Sequence, residues 1–144
     1  MIANSDQYVD IDINDYLAVM DNELDGLIMT MTANDPKWSF AEIDEFNNVV
    51  RVVEKEVISN EATVGIYNFS DGRDFVNAAD RMIRDGKRVN GEYYVAPTYN
   101  ELIAEGAKVR TFNIGSEGKG MYGLGTPADL KLFCDLGMLD RLPT

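Results

Sequence analysis

The sequence predicts a three-layer α/β domain built on a mixed sheet. Three observations predict it. β-prone runs and helical stretches intermix along the chain without strict alternation. Apolar residues make up 45% of the 144 residues, which excludes a disordered chain. No repeat, linker or low-complexity tract divides the sequence, so residues 1–144 read as a single domain, long enough to bury a core without disulfides.

Met1-Ile2-Ala3 reads as the end of a strand that runs into a polar turn, Asn4-Ser5-Asp6-Gln7, and a domain opening on a strand's last residues looks cut into. Asp12 can cap a helix to about Glu23, with Ile13, Tyr16, Leu17 and Met20 at helical spacing. Leu27-Ile28-Met29-Thr30-Met31-Thr32 is nearly all apolar or β-prone, as a buried strand is. After the turn Asn34-Asp35-Pro36-Lys37, the runs Trp38 to Asp44 and Val49 to Lys55 form a hairpin through Glu45 to Asn48. Ala62 to Phe69 is the next strand.

Ser70 is placed to cap a helix that closes at Gly86, with Phe75, Ala78, Ala79, Met82 and Ile83 on its inner face. A second helix, about Ala96 to Glu105, ends at Gly106, and Lys108 to Ile114 is another strand. A Gly-rich loop follows. The last helix carries a full start signal, with Thr126 as N-cap, Pro127 first and Asp129 third, and Gly137 ends it.

Composition excludes several functions. With 25 acids against 13 bases the net charge is −12, which repels nucleic-acid backbones and anionic lipid, so neither nucleic acid nor a membrane is an expected partner. The chain has no His, which removes His-based triads, His-ligated zinc and His acid–base chemistry. Its one Cys, Cys134, lies among apolar residues of the last helix and reads as a small core residue. A lone Cys and no apolar run of the ~18 residues that span a bilayer point to the cytoplasm.

Two motif matches fail on their context. Asp10-Ile11-Asp12-Ile13-Asn14 begins like a calcium loop, but Asp15 stands where the turn needs Gly and Asp21 where a bidentate Glu belongs. Gly118-Lys119-Gly120-Met121-Tyr122-Gly123 matches a dinucleotide fingerprint, yet its helix begins only at Thr126, and a flexible loop is the better reading. Glu54-Lys55 closes an apolar strand, where adjacent side chains point to opposite faces; by spacing alone an ordinary charged strand exit is favoured. Asp6 follows a strand, in the region where α/β domains gather ligands.

Taken in order, these segments resemble the sugar-1-phosphate nucleotidyltransferases, the family of glucose-1-phosphate thymidylyl- and uridylyltransferases. Asn4-Ser5-Asp6-Gln7 resembles that family's strand-end motif with a magnesium-binding aspartate. Trp38-Ser39-Phe40-Ala41-Glu42-Ile43-Asp44 is similar to its Tyr-Gly/Ser-x-x-x-x-Asp strand, and Val53-Glu54-Lys55 to its Glu-Lys pair. Gly65-Ile66-Tyr67-Asn68-Phe69 resembles Gly-x-Tyr-x-Phe, and Asn90-Gly91-Glu92-Tyr93-Tyr94 the Gly-Glu segment of the sugar pocket. Gly125-Thr126-Pro127-Ala128-Asp129-Leu130 resembles the closing Gly-Thr-Pro-x-Asp-Leu. The six motifs cover nearly the whole chain.

The resemblance implies a partial Rossmann-like, GT-A-like fold, lacking the N-terminal nucleotide-binding units with their Gly-rich loop ending in Arg. It implies transfer of a nucleotidyl group to a sugar-1-phosphate with release of pyrophosphate. Asp6 and Lys55 would be catalytic, Asp6 holding Mg2+ and Lys55 the sugar phosphate. Glu54 and Glu92 would accept hydrogen bonds from sugar hydroxyls, with Ser39 and Gly65 letting backbone come close. Met121-Tyr122-Gly123-Leu124 carries no acid where many members place a second metal-binding Asp. The expected outcome is a chain inactive alone, completed by self-association or by a partner carrying the missing N-terminal half. The alternatives are a non-catalytic module binding sugar phosphate or nucleotide-sugar, and a self-associating fragment without activity.

Overall fold

The apolar run at Leu27 to Met31 becomes the centre of a mixed sheet. The structure, a computed structural model, describes residues 1–142. In chain order come β1 (Ile2–Ala3), β2 (Gln7–Val9), α1 (Ile13–Ala18), β3 (Gly26–Thr32), β4 (Ser39–Ile43), β5 (Val49–Glu54) and β6 (Glu61–Phe69). Then follow α2 (Gly72–Arg84), α3 (Thr98–Ala104), β7 (Val109–Asn113), β8 (Ser116–Glu117), β9 (Gly120–Gly123) and α4 (Pro127–Asp135), and a 3-10 turn at Met138–Arg141. The main sheet runs β5-β4-β6-β3-β7, with β1 laid beside β6. Only β3 and β7 are parallel in it; the other pairs are antiparallel.

Both faces of the sheet are covered, which gives the three layers. On one face Ile28, Tyr67 and Phe69 pack against Ala78 of α2 and Tyr99 and Leu102 of α3. Phe69 stacks on Tyr99 with ring centroids 4.6 Å apart and planes 7° from parallel, a geometry worth about 1 kcal/mol beyond burial. On the other face Leu27, Met29, Met31 and Phe40 meet Tyr16 of α1 and Met121 of β9. Outside that lies a small cluster of Tyr122, Phe133 and Met138, which seats α4.

The differences from the sequence reading are local. The helix begun by Asp12 stops at Ala18, because Asp21 bonds the Glu23 N–H at 2.8 Å and turns the chain. The cap of α2 is Asp71, whose carboxylate accepts the Arg73 N–H at 2.8 Å; Ser70 instead donates its own N–H to the Asp25 carbonyl at 2.9 Å. Ile83 is 51% exposed, so the inner face of α2 is narrower than its apolar spacing suggests. Cys134 is exposed, because Phe133 is the residue that α4 turns inward. The Gly-rich segment is ordered: β9 pairs with β2 and β8 in a second, three-stranded sheet. Among the described residues no helix is long and apolar enough to cross a membrane.

Candidate functional site

Five segments that are far apart in sequence meet around one cleft of about 470 Å3, within the size range of small-molecule sites. They are the turn after β1, the start of β4, the end of β5, the middle of β6 and the residues leading into α3. The cleft brings Asp6, Ser39, Glu54, Lys55 and Gly65 together. Glu92 does not line it; Tyr93, Tyr94 and Val95 from its segment do.

Glu54 is the buried charge of the site, 8% exposed at the end of β5. Ser39 lies opposite it in the β4–β5 register, and the Ser39 hydroxyl donates to Glu54 Oε2. Ser39 thus serves through its side chain, tying down a carboxylate that would otherwise be costly to bury. Lys55 follows in the left-handed region, φ 58°, a conformation that costs a non-glycine residue about 1 kcal/mol or more. Its N–H is held by the Trp38 carbonyl at 3.0 Å. Leaving the extended conformation breaks strand alternation, so Lys55 joins Glu54 on the cleft: Lys55 Nζ lies 3.8 Å from Glu54 Oε1. The alternation rule points the two residues apart, and the left-handed turn is the reason they meet.

Beneath Glu54, Tyr67 shares a hydrogen bond of 3.0 Å with the Thr63 hydroxyl. Burial above all, eased by the Thr63 bond and reinforced by the Glu54 charge, pushes the Tyr67 phenol up to about 12. Tyr67 is therefore a neutral polar group in the floor of the site. At the rim, Tyr94 donates its hydroxyl to Glu92 Oε2 at 2.5 Å, and this bond pushes its phenol up to about 12. Its ring faces Lys55, with Nζ 5.4 Å from the centroid. Glu92 thus stands one residue removed from the cleft, holding Tyr94.

On the opposite wall, Gly65 has φ +82°, and a Cβ there would come 2.4 Å from Asn4 Nδ2 and 3.0 Å from Gln7 Oε1. The bare Cα is used by these two side chains, while the Gly65 carbonyl accepts the Asn4 N–H at 2.9 Å. Asp6 is exposed beside Gly125, where a Cβ would meet Asp6 Oδ2 at 2.9 Å, and its carbonyl accepts the Leu124 N–H at 2.8 Å. The closing Gly-Thr-Pro segment is thereby docked on the Asp6 turn. Gln7 Nε2 and Trp38 Nε1 are buried without a hydrogen-bond partner among the described residues.

Sequence reasoning missed Trp38, Tyr67, Tyr94, Asn4 and Gln7 as cleft residues. The left-handed Asn90-Gly91 pair, φ 51° and 83°, was the available signal for the Tyr94 flap. It makes a two-residue turn in which Val89 and Glu92 exchange backbone hydrogen bonds, each 3.0 Å. For magnesium, Asp6 offers one carboxylate, with the amides of Asn4 and Gln7 near it. That oxygen-rich set suits a magnesium ion held mainly by substrate phosphates. It is no protein cage, since the described residues contain no group of three or more metal-ligating side chains.

The fold is similar to those of solved sugar-phosphate nucleotidyltransferases, in agreement with the resemblance read from the sequence. The nucleoside-diphosphate-sugar pyrophosphorylase of Vibrio cholerae RC9 superposes with a TM-score of 0.75 at 26% identity, over 92% of this chain and 54% of that one. A Bacillus anthracis protein provisionally assigned as a glucose-1-phosphate thymidylyltransferase, solved with a sucrose, gives 0.71 at 19% identity, over 96% and 53%. The inositol-1-phosphate CTP transferase of T. maritima gives 0.60 at 14% identity, over 93% and 54%. The chain spans about half the length of these structures. No family model and no curated protein matches the sequence.

Proposed function

We propose that this chain is the sugar-phosphate-binding part of a cytoplasmic sugar-1-phosphate nucleotidyltransferase. One observation carries the reading: Asp6, Glu54 and Lys55 line the same cleft, together with Ser39 and Gly65. The Lys55 ammonium beside a buried, tethered carboxylate suits a ligand that is anionic at one end and rich in hydroxyls at the other.

In the reaction, an oxygen of the sugar-1-phosphate bonds to the α-phosphorus of a nucleoside triphosphate. The bond from that phosphorus to the β-bridging oxygen breaks, and pyrophosphate leaves with the electron pair. The attacking oxygen is already anionic, so no general base is required and a chain without His suffices. Lys55 holds the sugar phosphate as a point charge. Glu54, oriented by Ser39, accepts a hydrogen bond from a sugar hydroxyl, and Glu92 acts on the sugar side through Tyr94. Magnesium, when bound at Asp6 together with the phosphates, supplies positive charge where negative charge builds on the phosphoryl oxygens.

The proposed partner is a second copy of this chain or a chain carrying a triphosphate-binding half. The geometry of β1 supports that: it pairs with β6 on one side and, among the described residues, with no strand on the other. Titration calorimetry with a panel of sugar-1-phosphates and the matching free sugars tests the binding reading. Binding that needs the phosphate and is weakened about ten-fold in Lys55→Met is the expected result. Equal or absent binding for every sugar phosphate overturns it. Pyrophosphate release by the 144-residue chain alone would overturn the need for a complement. A second reading, a binding module without turnover, is favoured by the lone carboxylate at Asp6 and the acid-free Met121-Tyr122-Gly123-Leu124.

A further inference from the structure

We propose that Tyr94 is a positioning residue: its ring, anchored by Glu92, sets where the Lys55 ammonium stands and so governs capture of the anionic end of a sugar phosphate. The inference deepens the sugar-phosphate reading and rests on it for the ligand, though not for the geometry.

A lysine side chain is four carbons long and freely rotating, so a lysine that must meet a phosphate needs an external guide. The left-handed backbone at Lys55 turns the stem toward the cleft but does not fix its end. Two neighbours do. Glu54 Oε1 lies 3.8 Å from Nζ, and the Tyr94 ring centroid lies 5.4 Å from it, within the range of a cation–π contact. The two differ in consequence. A second carboxylate would neutralise the ammonium and compete with an arriving phosphate. A neutral π face holds the ammonium while leaving its charge available.

Tyr94 is itself held, which a guide requires. Its hydroxyl donates to Glu92 at 2.5 Å, and Glu92 closes the tight Asn90-Gly91 turn through paired backbone bonds to Val89. The adjacent Tyr93 is engaged elsewhere: its hydroxyl reaches the Ile83 carbonyl at 3.2 Å and Arg88 covers its ring at 4.8 Å. Ala96, 1% exposed, anchors the far end of the segment in the core. The flap is thus pinned at both ends, and Tyr94 is the ring that it presents to Lys55.

Two measurements test this, on the 144-residue chain. In the first, lysines are 13C-methylated and the Lys55 signal is assigned by its loss in Lys55→Arg. Its methyl resonance is expected to be shifted upfield by the ring in the wild type, to keep much of that shift in Tyr94→Phe, and to lose it in Tyr94→Leu. In the second, glucose-1-phosphate and glucose are titrated calorimetrically. Tyr94→Leu is expected to weaken the phosphate roughly three- to ten-fold, leave glucose unchanged, and have no further effect in a Lys55→Met background. An unshifted Lys55 resonance, or an equal loss with Lys55 removed, overturns the proposal. If no sugar phosphate binds the wild type, the functional reading fails, while the lysine resonance still decides the positioning role. Should Tyr94→Leu not fold, Tyr94→Met and Glu92→Ala serve: the first removes the ring and the second the acceptor that anchors it, and an unaltered Lys55 resonance in both overturns the proposal.

Discussion

Lys55 Nζ stands 3.8 Å from Glu54 Oε1, although the two residues are adjacent at the end of one strand. The left-handed φ of 58° at Lys55 is what brings them to one side. Strain of this kind persists where the surroundings over-determine it, and here the Trp38 carbonyl and the β4–β5 register do so. Lys55→Gly is therefore expected to raise stability by about 0.5–1 kcal/mol while weakening sugar-phosphate binding. Urea unfolding and calorimetry on the same sample read the two opposite effects. A fall in stability would show that the turn is unstrained.

Gly65 answers to two constraints at once. Its φ is +82°, and a Cβ would meet Asn4 Nδ2 at 2.4 Å, far inside contact distance. Gly65→Ala is expected to cost about 2–4 kcal/mol, combining backbone strain with overpacking. Adding Asn4→Gly should return the steric part only. Urea midpoints of the two single variants and the double variant separate the contributions, and complete recovery would mean that φ is not restrictive here.

The buried phenol of Tyr67 sets a pH dependence whose sign is determined. Its folded value is about 12 against 10.0 for a free tyrosine, so the folded state keeps the proton longer. That contribution is whole below pH 10 and is lost as pH rises toward 12, because only the unfolded chain ionises in that window. Stability is expected to fall across pH 10–12 by on the order of 2 kcal/mol from this group. In Tyr67→Phe the fall should be smaller by that amount when both proteins are referenced to pH 9. Identical slopes would place Tyr67 outside the titrating set.

The cap of α2 separates two adjacent residues. Asp71→Ala removes the acceptor for the Arg73 N–H and is expected to cost about 1 kcal/mol. Ser70→Ala keeps the Ser70 N–H bond to Asp25 and should be near neutral. Reversed thermal shifts for the pair would restore Ser70 as the cap.

Why the sequence misplaced that cap bears on what it could reveal at all. Helical and strand periodicities depend on neighbours a few residues away, so β3 to β6, α2, α3 and α4 were legible within a few residues of their ends. The small sheet was not, because Gln7–Val9 pairs with Gly120–Gly123 more than a hundred positions later, and glycines at 115, 118, 120 and 123 read as a loop. Of the cleft, Asp6, Ser39, Glu54, Lys55 and Gly65 were identified through motif order, since strand alternation alone pointed Glu54 and Lys55 apart. Tyr67 and Trp38 read as ordinary strand aromatics. Their place in the cleft depends on β4 and β6 lying side by side, which no local pattern encodes.

The misread glycines carry the last prediction. Gly120 has φ +105°, and a Cβ on it would sit 2.0 Å from the Ile114 carbonyl oxygen, so that approach admits glycine alone. The same residue's carbonyl accepts the Asp10 N–H at 2.8 Å, and four residues on, the Leu124 N–H reaches the Asp6 carbonyl at 2.8 Å. Forcing β9 away should therefore loosen the turn that bears Asp6, even though Gly120 does not line the cleft. Gly120→Ala is expected to lower hydrogen-exchange protection in Gln7–Val9 and Gly120–Gly123 while β3 and β6 stay protected, since they belong to the other sheet. If Asp6 serves the phosphates, sugar-phosphate affinity should drop with that local loosening. Unchanged affinity alongside lost protection would detach Asp6 from the binding of the sugar phosphate and leave that task to Lys55 and Glu54.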